Sequence, residues 1–495
     1  MKAHLTLLNP PYPSGAPEAI FIPLGISSLA VFLENNGYTV DVIDCQVLNL
    51  TKKDLEDEFR RLQPDVVGVS AATLTYEPAL EIVKAAKEAC PNCLTILGGP
   101  HVTVMDEQTI NESPETDIVV RGEGEQTLLE LAHLASNSNL KNLKDVAGIT
   151  FRKSGKIFRT PDRPFIQNID ELPHPTLKHF QLSKYRILGR TYLPIITSRG
   201  CPFQCAFCLS SQMCGTSFRA KSPPKVLDEL EWLRDTYGAD AVTFYDDTFT
   251  FDIDRTFGIC QEMKKRKFTT PWDCRTRVDR VNKEVLDTLS NTNCQLIHFG
   301  VESGNQKMLN AMKKGTTIEQ NARAIKWAKE AGILVAISVI VGYPGETVDM
   351  VKQTIDFIRK TEPDYVYMCE AVPYPGTELY TQVKELGWEL PSKWSQYHEH
   401  TQIFKNPLLP LETIEKMKKA FFDEFFSPSY YLRKSRRKDF YSQVMARMAL
   451  NHLLWRVKLP RWVSASFRRV RRNQSQGGHS APKDTHPQLG LEAGT

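Results

Sequence analysis

Three cysteines at C-x3-C-x2-C spacing, Cys201, Cys205 and Cys208, stand in the stretch Thr197-Ser198-Arg199-Gly200-Cys201-Pro202-Phe203-Gln204-Cys205-Ala206-Phe207-Cys208. Thiolate is the soft ligand that iron–sulfur clusters and zinc favour. Three thiolates on one loop can hold three irons of a [4Fe–4S] cluster and leave the fourth iron open to an outside ligand. A structural zinc site asks for a fourth Cys or His at short spacing. Cys214, six residues beyond Cys208, keeps zinc open by count alone. Cys45, Cys260, Cys274, Cys294 and Cys369 are scattered and read as packing thiols. Cys90-Pro91-Asn92-Cys93 has redox-like spacing, but it falls between a helix and a strand, not at a helix N-terminus that would stabilise a thiolate.

The cysteine loop follows the apolar run Leu193-Pro194-Ile195-Ile196, which reads as a strand. Five strand–helix repeats come after it, with strands at 241–245, 272–276, 295–301, 334–341 and 365–371 and helices at 224–237, 255–265, 283–290, 318–331 and 347–360. Six parallel strands with crossovers make a partial barrel over 191–385, and barrel sites gather at the C-terminal strand ends. Asp246, Asp247, Arg275, Glu302 and the turn Gly342-Tyr343-Pro344-Gly345-Glu346 fall there. For each carboxylate a helix N-cap is the competing role. The cysteine spacing, with Phe207 before the last cysteine, resembles the signature loop of the radical S-adenosylmethionine (SAM) superfamily. That resemblance implies that SAM chelates the open iron and that an electron from the cluster cleaves it to a 5′-deoxyadenosyl radical. It also implies roles. Asp246 and Asp247 stand where the family, often with Gly-Gly-Glu, binds the SAM amino group. Arg275 is the partner of its carboxylate, whose fork a guanidinium matches. Glu302 takes the ribose, and the backbone of Phe207, Val341 and Gly342 takes adenine.

Residues 1–145 alternate strands (3–8, 39–43, 66–70, 94–97, 118–121) with helices (24–36, 52–62, 76–90, and one after Val102). This pattern indicates a doubly wound parallel sheet, whose ligands sit beyond the carboxyl ends of the strands. The loops there are rich in small residues, which let a large planar ligand approach the backbone. The G-x-G-x-x-G of a dinucleotide fold is absent. The ordered set Asn9-Pro10-Pro11, Pro23-Leu24-Gly25, Gly37-Tyr38, 64–70, Gly98-Gly99-Pro100-His101 and Arg121-Gly122-Glu123-Gly124-Glu125 resembles the cobalamin-binding domain that precedes many radical SAM domains. By that resemblance Asn9, Pro10, Pro11, Ser70, Thr73, Gly98, Gly99, His101 and Glu123 line the cofactor. The motif D-x-H-x-x-G, whose His ligates cobalt from below, is missing, so the lower cobalt face is expected to lack that His. A loop histidine bonded to backbone or phosphate is the competing role for His101.

The fold class expected is α/β: a Rossmann-like, cobalamin-binding sheet, a partial (β/α)6 radical SAM barrel and an α-helical C-terminal extension. Residues 146–190 read as a hairpin turning at Ser154-Gly155 and a proline-rich linker. Residues 386–472 read as a packed extension with a helix at 411–426, and 473–495 as a disordered polar tail. Residues 431–472 hold 13 Lys or Arg against one acid, Asp439, a net +12 in a chain of net +4. Tyr441, Met445, Met448, His452, Trp455 and Leu459 recur there at helical spacing, with a break due at Pro460. A basic amphipathic helix reads as an anionic membrane surface binder, with nucleic acid as the weaker reading and a solvated helix with one packed face as the plain one. The chain start reads as a strand, not a signal peptide. No apolar run approaches the roughly 18 residues of a spanning helix, and eleven cysteines argue for a reducing compartment. The setting expected is cytoplasmic, peripheral on the inner membrane face.

Together these features describe a cobalamin-dependent radical SAM enzyme that methylates an unactivated carbon of a lipid-like or tetrapyrrole substrate and draws electrons from a flavodoxin- or ferredoxin-type donor. Radical cyclisation or rearrangement without methyl transfer, as in the anaerobic tetrapyrrole oxidative cyclase, is the alternative within the family. An electron-transfer cluster protein is the alternative outside it, and it leaves the N-terminal domain unexplained.

Overall fold

Short β-branched runs alternating with helices build the first sheet. Its strands are β1 (His4–Asn9), β2 (Thr39–Asp44), β3 (Val66–Ser70), β4 (Leu94–Gly98), β5 (Ile118–Val120), β6 (Ile149–Lys153) and β7 (Lys156–Arg159). The order is β2-β1-β3-β4-β5-β6-β7, with the first five parallel and the last two antiparallel. The chain reverses direction of build between β1 and β3, the position where doubly wound sheets open a ligand crevice. The expected hairpin turns at Ser154-Gly155, both at positive φ, and extends this sheet through β5 and β6. The helix expected after Val102 is two short ones, Pro100–Val104 and Asp106–Glu112. The computed structural model describes residues 2–13, 21–137, 139–400 and 403–456.

The proline-rich strap after Arg159 is pinned. Asp162 pairs with Arg121 (2.9 Å), Asp170 accepts from Ser222 N–H (2.7 Å), and Thr176 C=O accepts from Ser27 Oγ (2.5 Å).

The second sheet joins β8 (Arg186–Ile187), β9 (Arg190–Ile195), β12 (Ala241–Phe244), β13 (Trp272–Thr276), β14 (Cys294–Glu302), β15 (Leu334–Val341) and β16 (Tyr365–Glu370). A separate pair, β10 (Ser198–Arg199) and β11 (Arg219–Ala220), lies in sequence between β9 and β12. Strands β9 and β12 to β16 are parallel, and β8 is an antiparallel edge. These are the six strands of the partial barrel. Side chains alternate across the strands. Phe244, Cys274, Ile297 and Phe299 are fully buried, whereas Tyr245, Arg275, His298, Ser338 and Cys369 on the opposite face stay half-buried.

The helices Leu411–Phe425, Pro428–Ser435 and Phe440–Arg456 make up most of the described part of a second compact unit. Tyr441, Met445, Met448 and His452, expected to face a membrane, are buried here, and His452 Nε2 lies 2.9 Å from Asp423. Short helices must bury an apolar face, and this stripe is the one used. Trp455 remains 46% exposed. Leu459, the break at Pro460 and the polar tail lie outside the described residues. Among those described, no helix is long and apolar enough to cross a membrane.

Candidate active site

Backbone contacts hold the cysteine loop on all sides. Strand β10 pairs with β11 and closes its two ends. Gly200 sits at φ +89°, and a Cβ there would meet Ser217 O at 2.2 Å, so only glycine fits. Cys201 N–H donates to Gly215 O (3.1 Å), Ala206 N–H to Met312 O (2.9 Å), and Ala206 O accepts from Leu379 N–H (2.8 Å). Ala206 and Phe207 pack in a cluster with Met308, Tyr343, Leu379 and Phe404. Cys201, Cys205 and Cys208 are half-buried. Burial, reinforced by Asp247, raises the Cys201 thiol and pushes Cys208 up to about 12; metal binding displaces such protons. Among the described residues no three His, Cys, Asp or Glu side chains are placed to share one metal ion. A cluster asks for wider spacing, because each thiolate takes its own iron. Cys214, the candidate fourth zinc ligand, lies in the supporting strand-to-strand segment, where its carbonyl accepts from Arg219 Nη2 (2.7 Å) and burial pushes its thiol up to about 11. The donor set suits a cluster better than a zinc ion.

The two adjacent acids have separate settings. Asp246 is buried and accepts Thr197 N–H (2.6 Å) and Ser198 N–H (3.1 Å) on Oδ1 and the Thr197 hydroxyl on Oδ2. These bonds fasten the chain entering the cysteine loop. Asp247 is exposed and accepts from the Ser210 hydroxyl, two residues after Cys208. Arg275 stacks on Tyr245 (3.9 Å) and donates to Thr243 Oγ1 (3.2 Å), in a group with Asp273, Tyr192 and His298 on the inner face of the sheet. The cations beside Cys205 are two that sequence reading missed, Arg277 and Lys314. Arg277 Nη1 lies 3.8 Å from Cys205 Sγ. Lys314 pairs with Glu302 at 2.8 Å; burial opposes its charge, but Glu302 and Cys205 outweigh burial and raise its pKa. Glu302 holds φ +63° at a bulge in β14, and a Cβ on Gly300 would run into its carboxylate at 2.5 Å. Val341 O accepts from Ala371 N–H (2.8 Å) and Gly342 N–H donates to Glu346 Oε2 (2.6 Å), so these two backbone groups are already engaged.

On the first sheet, small residues and backbone dominate the strand ends. Asn9 donates to Asp44 (3.0 Å), which also takes the Tyr185 hydroxyl (2.5 Å), and Pro10 and Pro11 follow. The loops after β3 and β4 knit together: Ala71 N–H donates to Gly98 O (2.7 Å) and His101 N–H to Ala71 O (3.1 Å). Gly99 has φ +104°, and a Cβ there would press on Ala71 N at 2.9 Å and Ser70 Oγ at 3.1 Å. His101 is 1% exposed, with Nδ1 3.3 Å from Thr73 Oγ1 and its ring between Tyr76 (4.4 Å) and Trp394 (4.8 Å). Burial lowers its pKa to about 3, so it is neutral at physiological pH. Glu123 accepts from Arg199 (3.0 Å), Arg219 (2.8 Å) and Ile166 N–H (2.7 Å), and Glu125 pairs with Arg199 at 2.7 Å. Glu123 thus clamps the strand-end loop after β5 to the cysteine loop. Cys90 and Cys93 are buried, with Sγ atoms on Phe59 O (3.3 Å) and Ala86 O (3.9 Å), the setting of packing thiols.

Two families match the chain: the B12 binding domain over residues 15–132 and the Radical SAM superfamily over residues 195–358. The chain is 34% identical over 412 residues to an uncharacterized methyltransferase of Pyrococcus horikoshii, covering 83% of this chain and 89% of that one. It is 31% identical over 386 residues to the anaerobic magnesium-protoporphyrin IX monomethyl ester cyclase of Rubrivivax gelatinosus, covering 76% of this chain and 69% of that one. Its fold is similar to that of the radical SAM methyltransferase TsrM of Kitasatospora setae, solved with cobalamin and a [4Fe–4S] cluster bound, at TM-score 0.70 and 18% identity over 87% of this chain and 90% of that one. The chain belongs to the cobalamin-binding radical SAM enzymes, whose cofactors are a [4Fe–4S] cluster, SAM and cobalamin.

Proposed function

We propose that this enzyme methylates an unactivated carbon. The observation that carries the reading is the Arg199 clamp: one guanidinium ties the cysteine loop to Glu123 and Glu125 beyond β5, so the SAM-cleaving and corrinoid regions share one charged joint. When bound, the cluster supplies the electron that cleaves SAM, and the corrinoid supplies the methyl group. Cys201, Cys205 and Cys208 hold the cluster. Asp247, beside Ser210, takes the SAM amino group, and Lys314, paired with Glu302, takes its carboxylate in place of Arg275. The loops at Asn9–Pro11, Ser70–Thr73 and Gly98–His101 form the corrinoid bed, with no histidine under the cobalt. The substrate lies against Tyr245, Arg275, His298 and Ser338. The methyltransferase relative supports this reading. The test is anaerobic incubation of reconstituted enzyme with methyl-deuterated SAM and a lipid extract, read by mass spectrometry. Labelled product with equal S-adenosylhomocysteine and 5′-deoxyadenosine is expected.

Cyclisation is the second reading. The cyclase relative and the polar, aromatic inner wall support it, since Arg275 and the tyrosines suit a planar substrate with carboxylates. Unlabelled product with 5′-deoxyadenosine alone would establish it.

Attachment to an anionic membrane in the cytoplasm rests on the net +12 of residues 431–472, because the expected insertion stripe is buried. Each basic residue near such a surface contributes about 1 kcal/mol. Flotation with anionic liposomes at low salt, full-length against a chain ending at Phe426, tests it; equal behaviour removes the anchor.

A further inference from the structure

Arg277 lies two residues beyond Arg275, is 5% exposed, and meets the cysteine loop in two ways. Its Nη1 points at Cys205 Sγ from 3.8 Å, and its guanidinium lies 3.7 Å from the ring of Phe203, within the same loop. Three further contacts fix it: Nε and Nη2 on the Asp279 carboxylate (2.9 and 3.1 Å) and Nη2 on Lys314 O (2.7 Å). Lys314 in turn holds Glu302. Cys205 thus touches one buried cation, Arg277, and lies in the field of a second, Lys314, each with its own carboxylate. Asp247, which bonds Ser210, acts on both Cys201 and Cys208, and Arg277 also acts on Cys201. The charges on the loop are uneven: Arg277 touches the middle cysteine, whereas Asp247 acts on the outer two.

We propose that Arg277 is a positioning residue that sets the reduction potential of the cluster through Cys205, an inference that rests on the radical SAM reading of the loop. The step concerned is the transfer of one electron from an external reductant to the oxidised cluster, which takes it from the 2+ to the 1+ level with no bond made or broken. Added negative charge is stabilised by a nearby buried cation and by N–H donors to the sulfurs, and both raise the potential. Asp279 opposes part of that effect because it neutralises Arg277 from the other side. The arrangement sets up two opposite shifts. Arg277→Gln removes the cation and moves the potential more negative. Asp279→Asn leaves the guanidinium in place, removes its counter-charge, and moves the potential more positive.

The experiment is an anaerobic redox titration of the reconstituted full chain, followed by electron paramagnetic resonance of the reduced cluster, for the parent, Arg277→Gln, Arg277→Lys and Asp279→Asn, with iron content measured in each. Opposite shifts for Arg277→Gln and Asp279→Asn at full iron content are expected, with Arg277→Lys between Arg277→Gln and the parent. Unchanged potentials at full iron, or shifts of the same sign, would overturn the proposal. Loss of the cluster in both Arg277 variants would also overturn it, because it would show that the residue only holds the loop in shape. A parent protein that takes up no cluster would instead overturn the radical SAM reading itself. No substrate is needed, so the result is independent of whether the enzyme methylates or cyclises.

Discussion

The carboxyl ends of the two sheets offer different chemistry. Beyond β1, β3 and β4 the chain offers prolines, small residues and a neutral buried imidazole, and it brings backbone forward by using glycine where a Cβ has no room. Beyond β12, β13 and β14 it offers charges: Asp247, Arg277, and the Glu302–Lys314 pair. A bulky corrinoid is held by shape over a wide area, and shape needs close backbone approach. SAM carries an ammonium and a carboxylate, and the electron must arrive at a defined potential, so that end needs placed charges. Form and charge are thus divided between two domains, with Arg199 joining them.

The largest effect belongs to the cysteines. Replacing Cys201, Cys205 or Cys208 by Ala is expected to lower 5′-deoxyadenosine formation below detection in a chromatographic assay, because one thiolate lost leaves an iron unheld. Cys214→Ala is expected to retain SAM cleavage. Full cleavage by Cys205→Ala would remove the charged half of the comparison.

Next come two glycines that separate the regions. Gly99→Ala forces a Cβ onto Ala71 N at 2.9 Å with φ at +104°, and Gly200→Ala forces one onto Ser217 O at 2.2 Å with φ at +89°. Each strains a backbone region that only glycine occupies comfortably, at a cost of order 1–3 kcal/mol before the clash is counted. Gly99→Ala is expected to keep its iron and lose most bound corrinoid by absorbance, and Gly200→Ala the reverse. Loss of both cofactors in both variants would show that the domains do not divide the work.

The cysteine loop was legible because its ligands lie on one short stretch, where spacing is geometry. The six barrel strands and five parallel strands of the first sheet were legible from β-branched runs between helices. Pairings across the fold were not. Glu123 reads as a cofactor residue by position, yet its partner Arg199 lies 76 residues away. Asp246 and Asp247 are neighbours in sequence, but successive side chains point apart, and only one bonds near Cys208. That Arg277 rather than Arg275 turns toward Cys205 is set by the fold, and nothing local in the sequence says so. The hairpin at 148–159 is legible from its Ser-Gly turn, but the sheet it joins is decided by β5 meeting β6, a pairing the sequence does not display. The basic helix shows the limit of periodicity: a stripe reports an apolar face, not whether protein or lipid covers it.

The joint between the regions gives a smaller, graded effect. Arg199→Ala leaves Glu125 buried without its guanidinium, and removing one member of a buried pair costs about 3–5 kcal/mol. A thermal melt several degrees below the parent is expected. Arg199→Met with Glu125→Gln, which removes both charges, should recover part of that loss. Equal melting of Arg199→Ala and parent would mean that the joint is not what links the domains.

The smallest effect is a pair of opposed pH dependences, one in each region. Glu346, in the turn after β15, is fully buried; Oε2 accepts the Gly342 N–H, and Oε1 has no partner among the described residues. Burial pushes its pKa up to about 8. A carboxyl raised in the folded state holds its proton where the unfolded chain has lost it. Its contribution is therefore complete below the ordinary carboxylate range and is lost as pH rises to about 8, by at most about 1.4 kcal/mol per pH unit. His101 has the opposite sign. Its folded pKa is lowered to about 3, so its contribution is complete above the ordinary imidazole value and is lost as pH falls toward 3. Glu346→Gln keeps an oxygen for Gly342 and cannot ionise. Measured against the parent, its melting temperature should gain a few degrees between pH 5 and pH 8 and no more beyond. His101→Gln, which cannot take up the proton, should gain on the parent only below about pH 6.5. Two variants whose melting differences from the parent stay constant from pH 5 to pH 8.5 would show that neither group titrates on unfolding. In that event the buried carboxyl of the barrel and the buried imidazole of the first sheet would be alike, and the contrast between the two ends would rest on the cysteine loop and its cations alone.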